Sequence, residues 1–131
     1  VKYAFLILLF AGPSLWACSC APVPLDKAFA LSGAIFSAEV TAVRPGPGAF
    51  SQTASVRVGR VFKGDLPSSG ALEVVTANSS AACGVGFQPG ESYLIWAAQR
   101  SSGQIQTNLC TPTKKLADAA SDLSWLSARA R

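Results

Sequence analysis

Four cysteines carry most of the chemistry this 131-residue chain can offer: Cys18, Cys20, Cys83 and Cys110. The first two sit in Ala17-Cys18-Ser19-Cys20-Ala21-Pro22, directly after a stretch with the three-part pattern of an export signal. Lys2 precedes an apolar run over 3–11, Gly12-Pro13-Ser14 breaks it, and Ala17 supplies a small residue for cleavage. That run is too short to span a bilayer as a mature helix. Cleavage after Ala17 would leave Cys18 as residue one, with a free α-amine, its own carbonyl and a sulfur able to form a disulfide. The expected organisation is a signal peptide over 1–17 and one exported domain over 18–131, periplasmic or extracellular.

The remaining residue types narrow the chemistry by exclusion. The chain has no histidine, which rules out histidine-dependent nucleophilic triads and histidine-ligated metal sites. Its seven carboxylates form no acid–base motif. Asp118 and Asp122 are four apart in a helical pattern and read as a solvated face. No enzymatic activity and no cofactor are expected. Lys2 is the one charge in the first 17 residues, so residues 18–131 carry a mild net charge of +3. The basic residues are scattered and lack interleaved aromatics, which argues against nucleic acid. Arg57, Arg60 and Lys63 read as a solvated face, and the protein is expected to be a monomer.

An even cysteine count in an exported chain reads as two disulfides. A Cys18–Cys20 bridge would close a strained, tiny ring. The alternative is one long-range bridge from each N-terminal cysteine, one to Cys83 and one to Cys110. In the chain-entropy model each such loop contributes about 4 kcal/mol. A four-thiolate zinc site is disfavoured because C-x2-C spacing is absent, so no metal of the protein's own is expected. Leu15-Trp16-Ala17-Cys18 also resembles a bacterial lipobox. Lipidation would consume the Cys18 sulfur and amine, leave another cysteine unpaired and anchor the chain to a membrane; the even count favours disulfides.

The elements that must position these cysteines are short. Ala21-Pro22-Val23-Pro24 is stiff and extended. Asp26 is placed to cap a helix through Leu31, ended by Gly33. Alternation predicts strands over 34–43, 55–62, 71–76, 92–98 and 104–109. Gly59 breaks parity in the second and predicts a bulge that returns Val61 inward. The fourth is the most apolar and the expected centre of the sheet, with Trp96 and Tyr93 as core and rim. Thr111-Pro112 reads as the start of a terminal helix whose apolar face is Leu116, Ala119, Ala120, Leu123 and Leu126. Whether Trp125 packs back on the body or faces a partner is open. The predicted fold is all-β: a five-stranded, OB-fold-like Greek-key barrel with a short N-terminal and a C-terminal helix.

These residues resemble the tissue inhibitors of metalloproteinases, in a bacterial single-domain version. The resemblance rests on Cys18-Ser19-Cys20-Ala21-Pro22, Ala28-Phe29, the strand over 35–43, Val61-Phe62-Lys63-Gly64, Cys83-Gly84, Tyr93-Leu94-Ile95 and Leu109-Cys110, in order along nearly the whole mature chain. It implies the netrin-like variant of the OB barrel and the pairings Cys18–Cys83 and Cys20–Cys110. A third bridge of the family is absent, its first cysteine falling at Ala30, and the family's second domain has no counterpart here. The implied partner is a zinc metalloprotease. The Cys18 amine and carbonyl would chelate its catalytic zinc, and Ser19 would enter the main specificity pocket. Cys20, Ala21 and Pro22 would follow along the cleft, and Ser80, Ala81 and Ala82 would line an adjacent subsite. A protonated amine has no lone pair, so inhibition should weaken as pH falls. The competing expectation is a disulfide-stapled or lipid-anchored protein-binding module that inhibits nothing.

Overall fold

Ala34, Phe36, Ala38 and Val40 recur with a period of two along β1 (Ala34–Pro45), and all four are buried. That strand pairs antiparallel on both sides, with β2 (Ser51–Lys63) and with β4 (Ser92–Gln99). β2 continues into β3 (Ala71–Ala77), which pairs in parallel with the two-residue β5 (Ile105–Gln106), and β5 returns to β4. The order β1-β2-β3-β5-β4-β1 closes a five-stranded barrel, and a sixth short strand, β6 (Lys114–Lys115), pairs antiparallel with β4 at Tyr93-Leu94. The computed structural model describes residues 18–67 and 69–129, so the export segment expected over 1–17 lies outside the described residues. No helix among the described residues is long and apolar enough to cross a membrane.

Two apolar clusters lie on opposite sides of the barrel wall. Phe36, Val56, Val58, Val74, Phe87, Tyr93 and Ile95 fill the interior. Outside, Ile35, Leu94 and Trp96 are covered by α1 (Leu25–Leu31) and α2 (Ala120–Arg129) through Ala28, Phe29, Leu123, Trp125 and Leu126. β4 is therefore buried on both faces from Tyr93 to Ala97, which is why it reads as an unbroken apolar run. Trp125 packs back on the body, with its ring 5.9 Å from Phe29 and 6.5 Å from Trp96. Tyr93 is core; its hydroxyl accepts the Gln88 amide at 2.9 Å and its ring meets Phe87 edge-on.

The expected bulge is present. Ala38 faces Val58 but Phe36 faces Val61, so β2 carries one extra residue at Gly59-Arg60. The displaced Arg60 amide donates to Ser37 Oγ at 2.9 Å, which satisfies the donor the ladder loses. Val61 then packs on the interior cluster and Phe62 on the outer one.

Several expectations are corrected. Asp26 does not cap α1; Pro24 holds the cap position and Asp26 lies in the first turn. Gly33 is needed for close approach to β4 rather than for a left-handed turn, since a Cβ there would lie 2.9 Å from the Gln99 amide. β2 begins at Ser51, because 51–57 all pair with β3, and the preceding loop is short. The fifth strand is two residues long, not six. The terminal helix begins at Ala120, not at Thr111-Pro112. The Thr111 and Thr113 hydroxyls are occupied elsewhere: Thr111 Oγ1 donates to the Asn108 carbonyl and Thr113 Oγ1 accepts the Trp96 amide, which leads the chain into β6 instead. Asp122 is not solvated. It is 5% exposed and pairs with Lys114 Nζ at 2.9 Å, because the late helix start puts it in the first turn of α2, beside β6. Asp118 is exposed as expected. Arg57 is exposed and pairs with Glu39, Arg60 is exposed, and Lys63 is half-buried and donates to the Phe29 carbonyl.

Candidate functional site: the disulfide-held N-terminal segment

Residues 80–83 are placed by a small turn. Ser80–Ala82 form a 3-10 turn whose preceding Ser79 accepts the Ala82 amide through Oγ. Cys83 follows at φ 63° in the left-handed region, an uncommon state for a side-chain-bearing residue, with its amide on the Ser80 carbonyl. Gly84 must be glycine: a Cβ there would lie 2.0 Å from the Ala77 carbonyl oxygen. Its amide donates to the Ser79 carbonyl at 2.9 Å. The turn presents Cys83 toward the segment over 108–110, where the Leu109 amide donates to the Cys83 carbonyl at 2.8 Å. Asn108 Oδ1 accepts the Cys110 amide at 2.8 Å, fixing that cysteine's backbone as well.

Onto this platform the N-terminal segment is bolted twice. Cys18 bonds to Cys83 with 5.0 Å between Cα atoms, and Cys20 bonds to Cys110 with 5.2 Å. Both pairings are those the family resemblance implies, and no cysteine among the described residues is free. Among the described residues, no hydrogen bond ties 18–23 to the barrel; Pro24 is the first whose carbonyl is used, by the Ala28 amide. Proline at 22 and 24 keeps the segment extended by restricting φ rather than by pairing.

The expected site residues are brought together in part. Ser19, Cys20, Ala21 and Pro22 are exposed along the segment, and Cys18 is half-buried at its start. Ser80, Ala81 and Ala82 are exposed next to Cys83, and the Cys18 bridge sets the two stretches side by side. The result is an exposed ridge of small, uncharged side chains. It offers main-chain polar groups and the Cys18 carbonyl, and among the described residues no carboxylate joins the sulfur cluster.

Sequence reasoning missed exposed apolar neighbours. Leu109, 43% exposed, lies between Asn108 and Cys110. Its position beside a bridged cysteine was the available signal. Phe50 is 80% exposed at the tip of the β1–β2 hairpin, and its carbonyl accepts the Asn78 amide at 3.0 Å, so the tip adjoins the stretch that leads to the 3-10 turn. An aromatic in a loop of glycine and proline was its signal. Val23 and the 71% exposed Leu31 flank a hollow of about 120 Å³ walled by Ala28, Ala97, Cys110 and Pro112.

No protein-family model matches the chain, and no curated protein matches it.

Proposed function

We propose that the protein is an exported, netrin-like OB-barrel module that inhibits zinc metalloendopeptidases through its N-terminal ridge. The barrel order β1-β2-β3-β5-β4-β1, with its bulged second strand, supports the OB reading. The observation that carries the inhibitory reading is the double covalent fastening of an otherwise unpaired, exposed segment beside the 80–82 turn. Rigid presentation of an extended segment lowers the entropic cost of entering a cleft. A catalytic zinc keeps one position open to water, and a free Cys18 amine with its carbonyl would displace that water as a chelate. Ser19 is the next side chain and would fill a specificity pocket poorly, so selectivity would be broad. Because the Cys18 sulfur is in a disulfide, it is unavailable for a thioether, which favours a free N-terminus over a lipid anchor.

The alternative is a protein-docking module without inhibitory action; the exposed Val23 and Leu31 beside the hollow favour it. The test compares protein beginning at Cys18 with protein carrying one additional alanine before it, against a panel of zinc endopeptidases. The expected outcome is inhibition by the first and a loss of about 100-fold or more in the second, a magnitude of roughly 2.7 kcal/mol. Equal inhibition by both would reject chelation, and no inhibition by either across the panel would leave the docking module.

A further inference from the structure

The two bridges form a single sulfur cluster. All four Sγ atoms of Cys18, Cys20, Cys83 and Cys110 lie within 4.8 Å of one another. Cys83 and Cys110 belong to different bridges, yet their sulfurs are 3.9 Å apart. A tetrahedral ion with metal–sulfur bonds of about 2.3 Å sets its ligand sulfurs about 3.8 Å apart. These two cysteines therefore already have the spacing of two tetrahedral ligands. Besides the bridges, hydrogen bonds brace this spacing: the 79–83 turn, the Leu109 amide on the Cys83 carbonyl and the Asn108 side chain on the Cys110 amide.

Cys18 and Cys20 differ in kind. They ride on a segment with no hydrogen bonds to the barrel among the described residues, so once the bridges open they can adjust to complete the tetrahedron. The absence of C-x2-C spacing is then no obstacle, since folding supplies the proximity that sequence spacing does not. An all-sulfur donor set selects thiophilic ions.

We propose that the reduced protein binds one Zn(II) as a four-thiolate centre made by Cys18, Cys20, Cys83 and Cys110. The cluster thus has two closed states, disulfide and metal. Passage between them is balanced by a small-molecule thiol as reductant. Each bridge consumes two such thiols, which leave as their own disulfide, and yields two protein thiols. One Zn(II) then replaces the four thiol protons, which pass to solvent. The inference stands independently of protease inhibition.

The experiment reduces the protein under anaerobic conditions, removes the reductant and titrates it with Co(II), then with Zn(II). One equivalent of Co(II) should give the intense sulfur-to-cobalt charge-transfer and tetrahedral d–d bands of a four-thiolate site. One equivalent of Zn(II) should abolish them by displacing the cobalt, and in a separate titration of the metal-free reduced protein each Zn(II) bound should release four protons. Oxidised protein treated identically should show neither. Cys110→Ser should weaken Zn(II) binding by about tenfold or more. Far-UV circular dichroism covers the case in which the reduced chain unfolds, since metal binding and folding are linked and Zn(II) should then restore the β signal. Weak octahedral bands, a centre with only two or three thiolates, unchanged affinity in Cys110→Ser, or a reduced chain that stays unfolded in Zn(II) would each overturn the proposal.

Discussion

In the barrel, Phe36, Val74 and Ile95 are wholly buried and each of the five strands has a hydrogen-bonded neighbour on both sides, so many small contacts and the ladders share the task of holding it. Residues 18–23 have none of this: they are largely exposed, and two sulfur–sulfur bonds do what burial and ladders do elsewhere. The difference separates stability from presentation. A segment that must stay exposed to a partner cannot be held by burying it. Covalent fastening lets it remain both ordered and accessible.

Substitutions in the two regions should therefore fail in different ways. The largest effect is expected from Phe36→Ala, which empties the barrel interior; about 3–5 kcal/mol of unfolding free energy should be lost, read by chemical denaturation. The double variant Cys20→Ser/Cys110→Ser should lose about 2–5 kcal/mol, yet retain near-UV circular dichroism of the packed aromatics at ambient temperature. Collapse of that spectrum would mean that the segment is part of the barrel's own stability and would end the comparison. Gly84→Ala pushes a methyl into the Ala77 carbonyl and should lower the melting temperature by an amount equivalent to about 1–3 kcal/mol. If the proposed inhibition holds, the same change should weaken it in protease assays, since it displaces the 80–82 turn. Arg57→Ala removes an exposed ion pair with Glu39 and should change stability by about 0.5 kcal/mol or less, a baseline against which the others are judged.

What was legible in the sequence follows the same division. Strands 34–43, 71–76 and 92–98 were readable because alternation or a continuous apolar run reports burial directly. The bulge at Gly59 was readable because parity breaks there. The element boundaries after the fourth strand were not. Thr111-Pro112 has the chemistry of a helix start, but Thr111 bonds to Asn108 and the following Thr113 to Trp96, and these partners outweigh a local cap. For the same reason Asp122 was misread: its burial depends on Lys114, eight residues earlier and on a different element. At the candidate site, the four cysteines were legible as a pair of long-range bridges. That all four sulfurs meet in one place was not, because separations of 65 and 90 residues carry no distance information until the barrel closes.

The crossed pairing also bears on how the protein is made. Along the chain the first cysteine joins the third and the second joins the fourth. As the polypeptide is made, Cys18 and Cys20 emerge long before either partner. Neither native bond can form until Cys83 emerges, and the second must wait for Cys110. The second bond spans β4 and β5, which close the barrel, whereas the first involves only residues that precede them; any premature bond must be reshuffled, a process that takes seconds to hours. The chain order of the cysteines thus sets the earliest point at which each native bond can close.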